Sequence, residues 1–380
     1  MELILKQYDI PLLRFSATND SSTPEIEVHW INEDQRHLLP LDMELSPEGI
    51  SRWMRRRTIP RNRAYVNRLL AKCGLNANRP MGILALCKGL SVDDSYWVVE
   101  DGFEGTFEKY NLFENRFSEV LALIAFTGYG SSDRSSLASS PEFTTNGMLP
   151  KCWRRISGKV TLYKGGTDGG YNTGAEPYCE YYAAQVAAAM GIDAIPYGLS
   201  QWKGRLCSTC ELFTDIDHAY MPIGNLVQRG GFDAVAAYYE NLGEPFQKAF
   251  RDMLVFDAVI CNTDRHYGNF GFMIDNKNNT IAAPAPLFDH GNSLFNQAGP
   301  EDYESPEAFQ QYIDTLVPCV YDDFFATAKR FMADENREQL RKLLGFRFKR
   351  HVRYNLPPKR LKLMEEQVRK RAMRLLENKE

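Results

Sequence analysis

The chain has 380 residues, 44% of them hydrophobic and 25% charged, with 27 Gly and 19 Pro. That is long enough for two or three domains or one enlarged catalytic unit, and it excludes collagen-like or wholly disordered material. With 45 basic against 49 acidic residues the net charge is -4, which argues against wholesale coating of nucleic acid and leaves room for local basic patches. There is no apolar run of about 18 residues, and Glu2, Lys6 and Asp9 occupy the start where a signal peptide would need a basic end and an apolar stretch. A cytoplasmic chain with no membrane partner is expected. Of the eight cysteines only Cys207 and Cys210 are close in sequence, so reduced structural thiols are the simpler expectation and a redox or metal pair the alternative.

In chain order, Leu3 to Phe15 reads as a strand-like opening, Ser16 to Pro24 as a polar turn and Ile26 to Ile31 as an alternating strand. Ser51 to Arg63 reads as a basic helix with six arginines and no acid. It is either a contact for phosphate or an acidic partner, or a solvated face answered by Glu44 and Glu48. Gly128 to Thr145 is the densest Ser/Thr/Gly stretch and reads as a loop, since nothing in it could bury an apolar face. Lys159 to Lys164 alternates like a strand, Gly165 to Gly174 can only turn, and Pro177 to Met190 is a helix with Gly191 as its stop. A strand follows near Leu206 to Phe213, and the rest is mostly helical, with one helix running from after Pro245 to Asn262. The C-terminal stretch is charge-segregated, 10 acids against 3 bases over 301–340 and 14 bases against 4 acids over 341–380. Matched adjacent helices or an external anionic partner would account for it.

The chemistry concentrates in Asn262-Thr263-Asp264-Arg265-His266-Tyr267-Gly268-Asn269 and in Leu287-Phe288-Asp289-His290-Gly291. Between them, Phe270 to Ile274 and Thr280 to Ala283 flank an Asn/Asp-rich turn, so a hairpin would return the chain and set Asp289 near Asn269. Hard oxygen ligands of that kind suit Mg2+, which fills the rest of its octahedron with water and substrate phosphates. Phosphoryl transfer fits this set, with Asp264 as the base and Asn269 and Asp289 as metal ligands. Metal-assisted hydrolysis would call for more His or carboxylate ligands than the dispersed His218, His266 and His290 supply. His266 has a suitable pKa for a base, yet a His between two turns more often holds the loop by hydrogen bonds.

Asp-Arg-His-x-x-Asn followed by a hairpin and an Asp resembles the catalytic and metal loops of the kinase-like fold, as in phosphatidylinositol kinases and HipA-type serine/threonine kinases. Thr144 to Lys151 resembles the HipA phosphate-binding loop, Val160 to Lys164 its ATP-lysine strand and Glu180 to Gly191 the helix after it. The likeness covers about residues 125 to 300. It implies an α+β, two-lobed protein-kinase-like fold: an accessory region at 1–105, a small sheet-containing N-lobe at 106–214 and a helical C-lobe at 215–380. It implies that ATP and Mg2+ are the cofactors, that Lys164 contacts the ATP phosphates with Glu180 (or Glu176) as its ion-pair partner, and that Lys151 adds a second cation. Asn146 and Gly147 would cradle phosphate, and the Glu211 to Phe213 strand would face adenine. No Gly-x-Gly-x-x-Gly precedes Lys164, and His290 stands where protein kinases usually have Phe. The family also implies a protein substrate, a helix-turn-helix antitoxin partner, and self-phosphorylation on one of Ser131, Ser132, Ser135, Ser136, Ser139, Ser140, Thr144 or Thr145. The alternatives are a lipid or small-molecule kinase of the phosphoinositide-kinase type, and a DNA-associated regulator using the Arg52 to Arg63 patch.

Overall fold

The computed structural model describes residues 1–18, 24–130, 140–169 and 174–377. It is a mixed α/β chain divided into two compact units, one of Met1–Lys164, Glu211–Met221 and Met273–Ala282, the other of Gly165–Cys210, Pro222–Phe272 and Ala283–Glu380.

In the first unit the opening is a hairpin and not one strand: β1 (Glu2–Gln7) turns through Tyr8, whose φ is +48°, into β2 (Ile10–Ala17). With β3 (Ile26–Ile31) and β4 (Tyr96–Glu100) they form an antiparallel sheet in the order β3-β2-β1-β4. One face of this sheet buries Leu3, Leu5, Leu13 and Phe15 with Trp53 and Met54; the other buries Ile4, Trp97 and Val99 with Phe107, Trp153 and Val160. Trp53 and Met54 lie on a helix that runs Pro47–Arg56, started by the Ser46 hydroxyl accepting the Gly49 N–H at 3.1 Å. It begins before and stops short of the expected 51–63 span, because its apolar face ends at Met54 and Arg57 is drawn into the protein. The strands Lys151–Ile156 and Lys159–Gly165 pair as a hairpin in which Lys151 lies opposite Lys164.

The basic patch is answered from within the fold. Arg57 is buried on Asp94 (2.7 Å), Arg63 is fully buried on Glu142 (2.7 Å), Arg56 pairs with Asp42 (2.8 Å) and Arg52 approaches Glu44 (3.9 Å). The patch therefore does not offer six free arginines to DNA. Glu44 answers it as expected and Glu48 forms no ion pair with it among the described residues; of the stronger partners Asp42 lies beside Glu44, whereas Asp94 and Glu142 are remote in sequence.

In the second unit a helix spans Glu176–Met190 and ends on Gly191 (φ +80°), matching the expected stop. The helix Glu244–Ile260 follows, nearly every residue after Phe250 buried, and Cys261 (φ +54°) caps it. Helices Pro306–Ile313, Phe324–Phe331, Asp334–Arg341 and Pro358–Leu376 complete the unit. The acidic and basic C-terminal stretches meet mainly through rings and carbonyls: Arg360 lies over Tyr303 (4.7 Å), Arg374 over Phe325 (3.9 Å), and Lys359 donates to the Glu304 carbonyl (2.9 Å). None of the eight cysteines forms a disulfide, and no helix among the described residues is long and apolar enough to cross a membrane.

Candidate active site

The segment after the Glu244–Ile260 helix is organised by Arg265, which is 1% exposed. Its Nε and Nη2 donate to the carboxylate of Asp257 (2.9 and 3.0 Å), a residue of that helix. Its Nη1 donates both to the Asn269 carbonyl (3.2 Å) and to the Phe288 carbonyl (2.6 Å). One nitrogen thus holds the backbone of the Asp264–Asn269 loop and the backbone immediately before Asp289. Burial opposes the charge on Arg265, yet Asp257 outweighs it and raises the guanidinium pKa.

Asp264 is fixed at both ends. Its N–H donates to Asn262 Oδ1 (3.1 Å), and its Oδ2 accepts from Asn292 Nδ2 (2.8 Å), a residue just past Asp289. Asn262 in turn donates to Asp257 (3.2 Å). Asn269 is 6% exposed and its Nδ2 donates to the Asp264 carbonyl (3.2 Å), which turns the amide oxygen away from that bond. Asp289 adopts φ +56°, a left-handed conformation disfavoured for a residue with a Cβ, and its N–H donates to Tyr197 Oη (3.1 Å). The N–H of His290 donates to Glu180 Oε2 (2.7 Å), so Glu180 holds the loop that presents Asp289.

His290 packs as an aromatic residue would. It is fully buried, edge-on to Phe256 (5.2 Å) and Tyr197 (6.0 Å). Its Nδ1 lies 3.1 Å from Arg265 Nη2, and because a guanidinium can only donate, that nitrogen accepts and the ring is the neutral Nε2–H tautomer. His266 is exposed, and its Nδ1 accepts the Gly268 N–H (3.0 Å), the loop-holding role weighed against catalysis.

An amide oxygen and a carboxylate are hard donors that fit Mg2+. No three His, Cys, Asp or Glu side chains are grouped to hold a metal among the described residues, so a cation here depends on this mixed pair.

The nucleotide residues expected in the first unit form their own arrangement. Lys151 and Lys164 are each 6% exposed and directly opposite across the hairpin. Lys151 Nζ donates to the Asn146 carbonyl (2.8 Å), and Gly147, at φ +91°, leaves room for it: a Cβ there would lie 2.2 Å from that nitrogen. Buried Arg63 holds the same loop through the carbonyls of Glu142 (2.7 Å), Thr145 (3.2 Å) and Lys151 (2.8 Å). The Glu211 side chain turns outward to Lys159 (2.7 Å), the Leu212 N–H donates to the Val160 carbonyl (2.9 Å), and Phe213 packs edge-on to Tyr220 (5.5 Å). Glu176 is engaged by the Thr167 N–H (3.1 Å) and hydroxyl. Ser131, Ser132, Ser135, Ser136 and Ser139 lie outside the described residues.

Sequence reasoning missed Asp257, Asn292 and Tyr197, and gave Arg265 no role of its own.

No family profile matches the chain. Over 135 residues it is 27% identical to the serine/threonine-protein kinase CtkA of Helicobacter pylori; the match spans 32% of this chain and 41% of that relative's length. The crystal structure of the proinflammatory kinase CtkA aligns with a TM-score of 0.48 at 16% identity, over 61% of this chain and 90% of that one. The HipA, HipB and operator DNA complex of the Shewanella oneidensis toxin-antitoxin system contains a chain that aligns with a TM-score of 0.53 at 13% identity, over 98% of this chain and 97% of that one. The chain thus resembles a chain of the HipA–HipB complex in fold over nearly its whole length and the serine/threonine kinase CtkA in sequence over about a third, spanning less than half of that relative's length.

Proposed function

We propose that the chain is a cytoplasmic, ATP- and Mg2+-dependent serine/threonine protein kinase of the HipA-like kind, two-lobed with an accessory region at 1–105. The observation that carries this reading is the buried Arg265 fork, which ties the Asn269 and Phe288 carbonyls to one nitrogen and so gathers Asp264, Asn269 and Asp289 on neighbouring loops. Phosphoryl transfer asks little covalent chemistry of a protein; it asks for positioning and for charge neutralisation. Asn269 and Asp289 would hold Mg2+, which supplies that neutralisation on the phosphates. Asp264, oriented by Asn262 and Asn292, aligns the attacking hydroxyl and accepts its proton. Lys164 contacts the ATP phosphates, with Lys151 and the Asn146-Gly147 backbone as a second contact and the 211–213 backbone against adenine.

Self-phosphorylation, if the chain shares it, is restricted by burial. Ser140 and Thr144 are buried, and the Thr145 hydroxyl donates to the Pro141 carbonyl (2.7 Å) and accepts from Trp153 Nε1 (2.9 Å), which disfavours these three as acceptors. The HipA neighbour's complex with HipB and operator DNA makes an antitoxin of that kind a reasonable partner.

The test is incubation of the parent and of Asp264→Asn with labelled ATP and a host lysate. Transfer to protein bands should fall about 10²–10⁴-fold in the variant. Label appearing only in lipid extracts, or undiminished in Asp264→Asn, would overturn the assignment.

A further inference from the structure

One buried charge takes no part in this chemistry. Arg371, on the helix Pro358–Leu376, is 6% exposed. Its Nε–H donates to the Ala258 carbonyl (2.6 Å), but its Nη2 is buried with no acceptor among the described residues. The guanidinium lies over Phe325 (4.6 Å) and Phe324 (5.4 Å), rings that give it a partial electrostatic partner and no hydrogen bond. Asp323 acts on it through space only; the Oδ1 of Asp323 is taken by the Ala326 N–H (2.6 Å), the cap of helix Phe324–Phe331. Burial accordingly disfavours the charged form.

The same arginine lines a cavity of about 230 Å³ that contains none of the catalytic-loop residues. Lys370 and Arg374, both exposed, stand at its wall, with Gln310 and Gln367. The two amides are linked, Gln367 donating to Gln310 (3.0 Å) and Gln310 to Asp314 (2.9 Å). Three cations therefore face the cavity against two carboxylates, Asp314 and Asp323, each already bound to a donor. A planar guanidinium with unused N–H groups matches an oxyanion in a two-point hydrogen bond, and a buried charge left without such a partner is costly.

We propose that this cavity binds a small oxyanion of the phosphate type, held by Arg371 and screened by Arg374 and Lys370. The volume is below the roughly 300–1,000 Å³ of pockets that enclose drug-sized ligands, so inorganic phosphate or a short phosphomonoester fits and a nucleotide does not. The site is independent of the kinase reading.

The test is calorimetric titration and thermal unfolding of the full chain with potassium phosphate, the ionic strength held constant with KCl. The parent should show saturable binding and a matching rise in Tm. Replacing the two exposed cations together, Lys370→Ala with Arg374→Ala, should weaken affinity by at least about tenfold. Arg371→Met should abolish saturation while melting no lower than the phosphate-free parent, because an apolar side chain of similar length removes an unpaired buried charge. Asp289→Ala should keep the full response, separating this site from phosphate bound in place of ATP. A response no greater than that to KCl, or one lost in Asp289→Ala and kept in both cavity variants, overturns the proposal; should Arg371→Met fail to fold, the surface pair decides.

Discussion

At the scale of single residues, the distinction between Asp264 and His266 turns on what each has left to give. Asp264 has one oxygen held by Asn292, and its other oxygen has no partner among the described residues; His266 spends its Nδ1 on the Gly268 N–H. His266→Ala should therefore lower kcat by less than about tenfold, against the far larger loss in Asp264→Asn, with the pH profile unshifted. Asp257 and Arg265 form the pair on which both loops depend, and both are essentially excluded from water. Asp257→Asn leaves an uncompensated buried guanidinium and should cost about 3–5 kcal/mol in a denaturant titration. The Asp-x-His-x-x-Asn spacing singled out the 264–269 loop, because a carboxylate, an imidazole and an amide so close in sequence offer a proton acceptor and hard metal ligands. Arg265 stood in plain view within the motif, but its function is defined by Asp257, one turn inside a helix, and by carbonyls that no residue type announces.

At the scale of elements, legibility followed local signals. The 176–190 helix announced its end with Gly191, and the Lys159–Gly165 strand its alternation, so both were read to within a residue or two. The Arg-rich segment was read less well because its boundaries are set by distant partners: Arg57 leaves the helix for Asp94, and Arg63 crosses to Glu142. Arg63 is the clearest case of a surface-looking residue with an internal task. Its guanidinium carries the 142–151 loop on three carbonyls and a buried carboxylate whose pKa burial raises against the pull of Arg63. Arg63→Ala should destabilise the chain by about 3–5 kcal/mol. At temperatures where the variant stays folded, it should weaken ATP binding more than it lowers kcat, a split that steady-state kinetics at varied ATP would read. Gly147→Ala removes only the space for Lys151 Nζ and forces a Cβ into φ +91°, so it should show the same split with a smaller loss of stability.

At the scale of the whole molecule, composition set the class of protein and little else. The charge segregation of the C-terminal stretch suggested matched adjacent helices or an external anionic partner; among the described residues arginine-to-ring stacking and carbonyl contacts do much of the joining between its two halves, a possibility that charge counting does not contain. Stability against pH carries one identifiable signature. Burial, and next the charge of Asp94, hold Asp93 at about 6 against the Ser91 hydrogen bond and Arg57. The unfolded value is about 3.9. The folded state thus binds this proton more tightly, and the stabilisation it brings is complete below about pH 4 and lost as pH rises to about 6. Asp93→Asn should flatten that part of the unfolding profile.

The central claim is that Asn269 and Asp289 share a divalent cation that the nucleotide needs. Calorimetric titration of ATP into the full chain, with Mg2+ and then with EDTA, for the parent and for Asp289→Ala, tests it most directly. The account predicts saturable binding that requires Mg2+ in the parent and weakens by at least about tenfold in the variant; equal affinity in EDTA, or in Asp289→Ala, would contradict it.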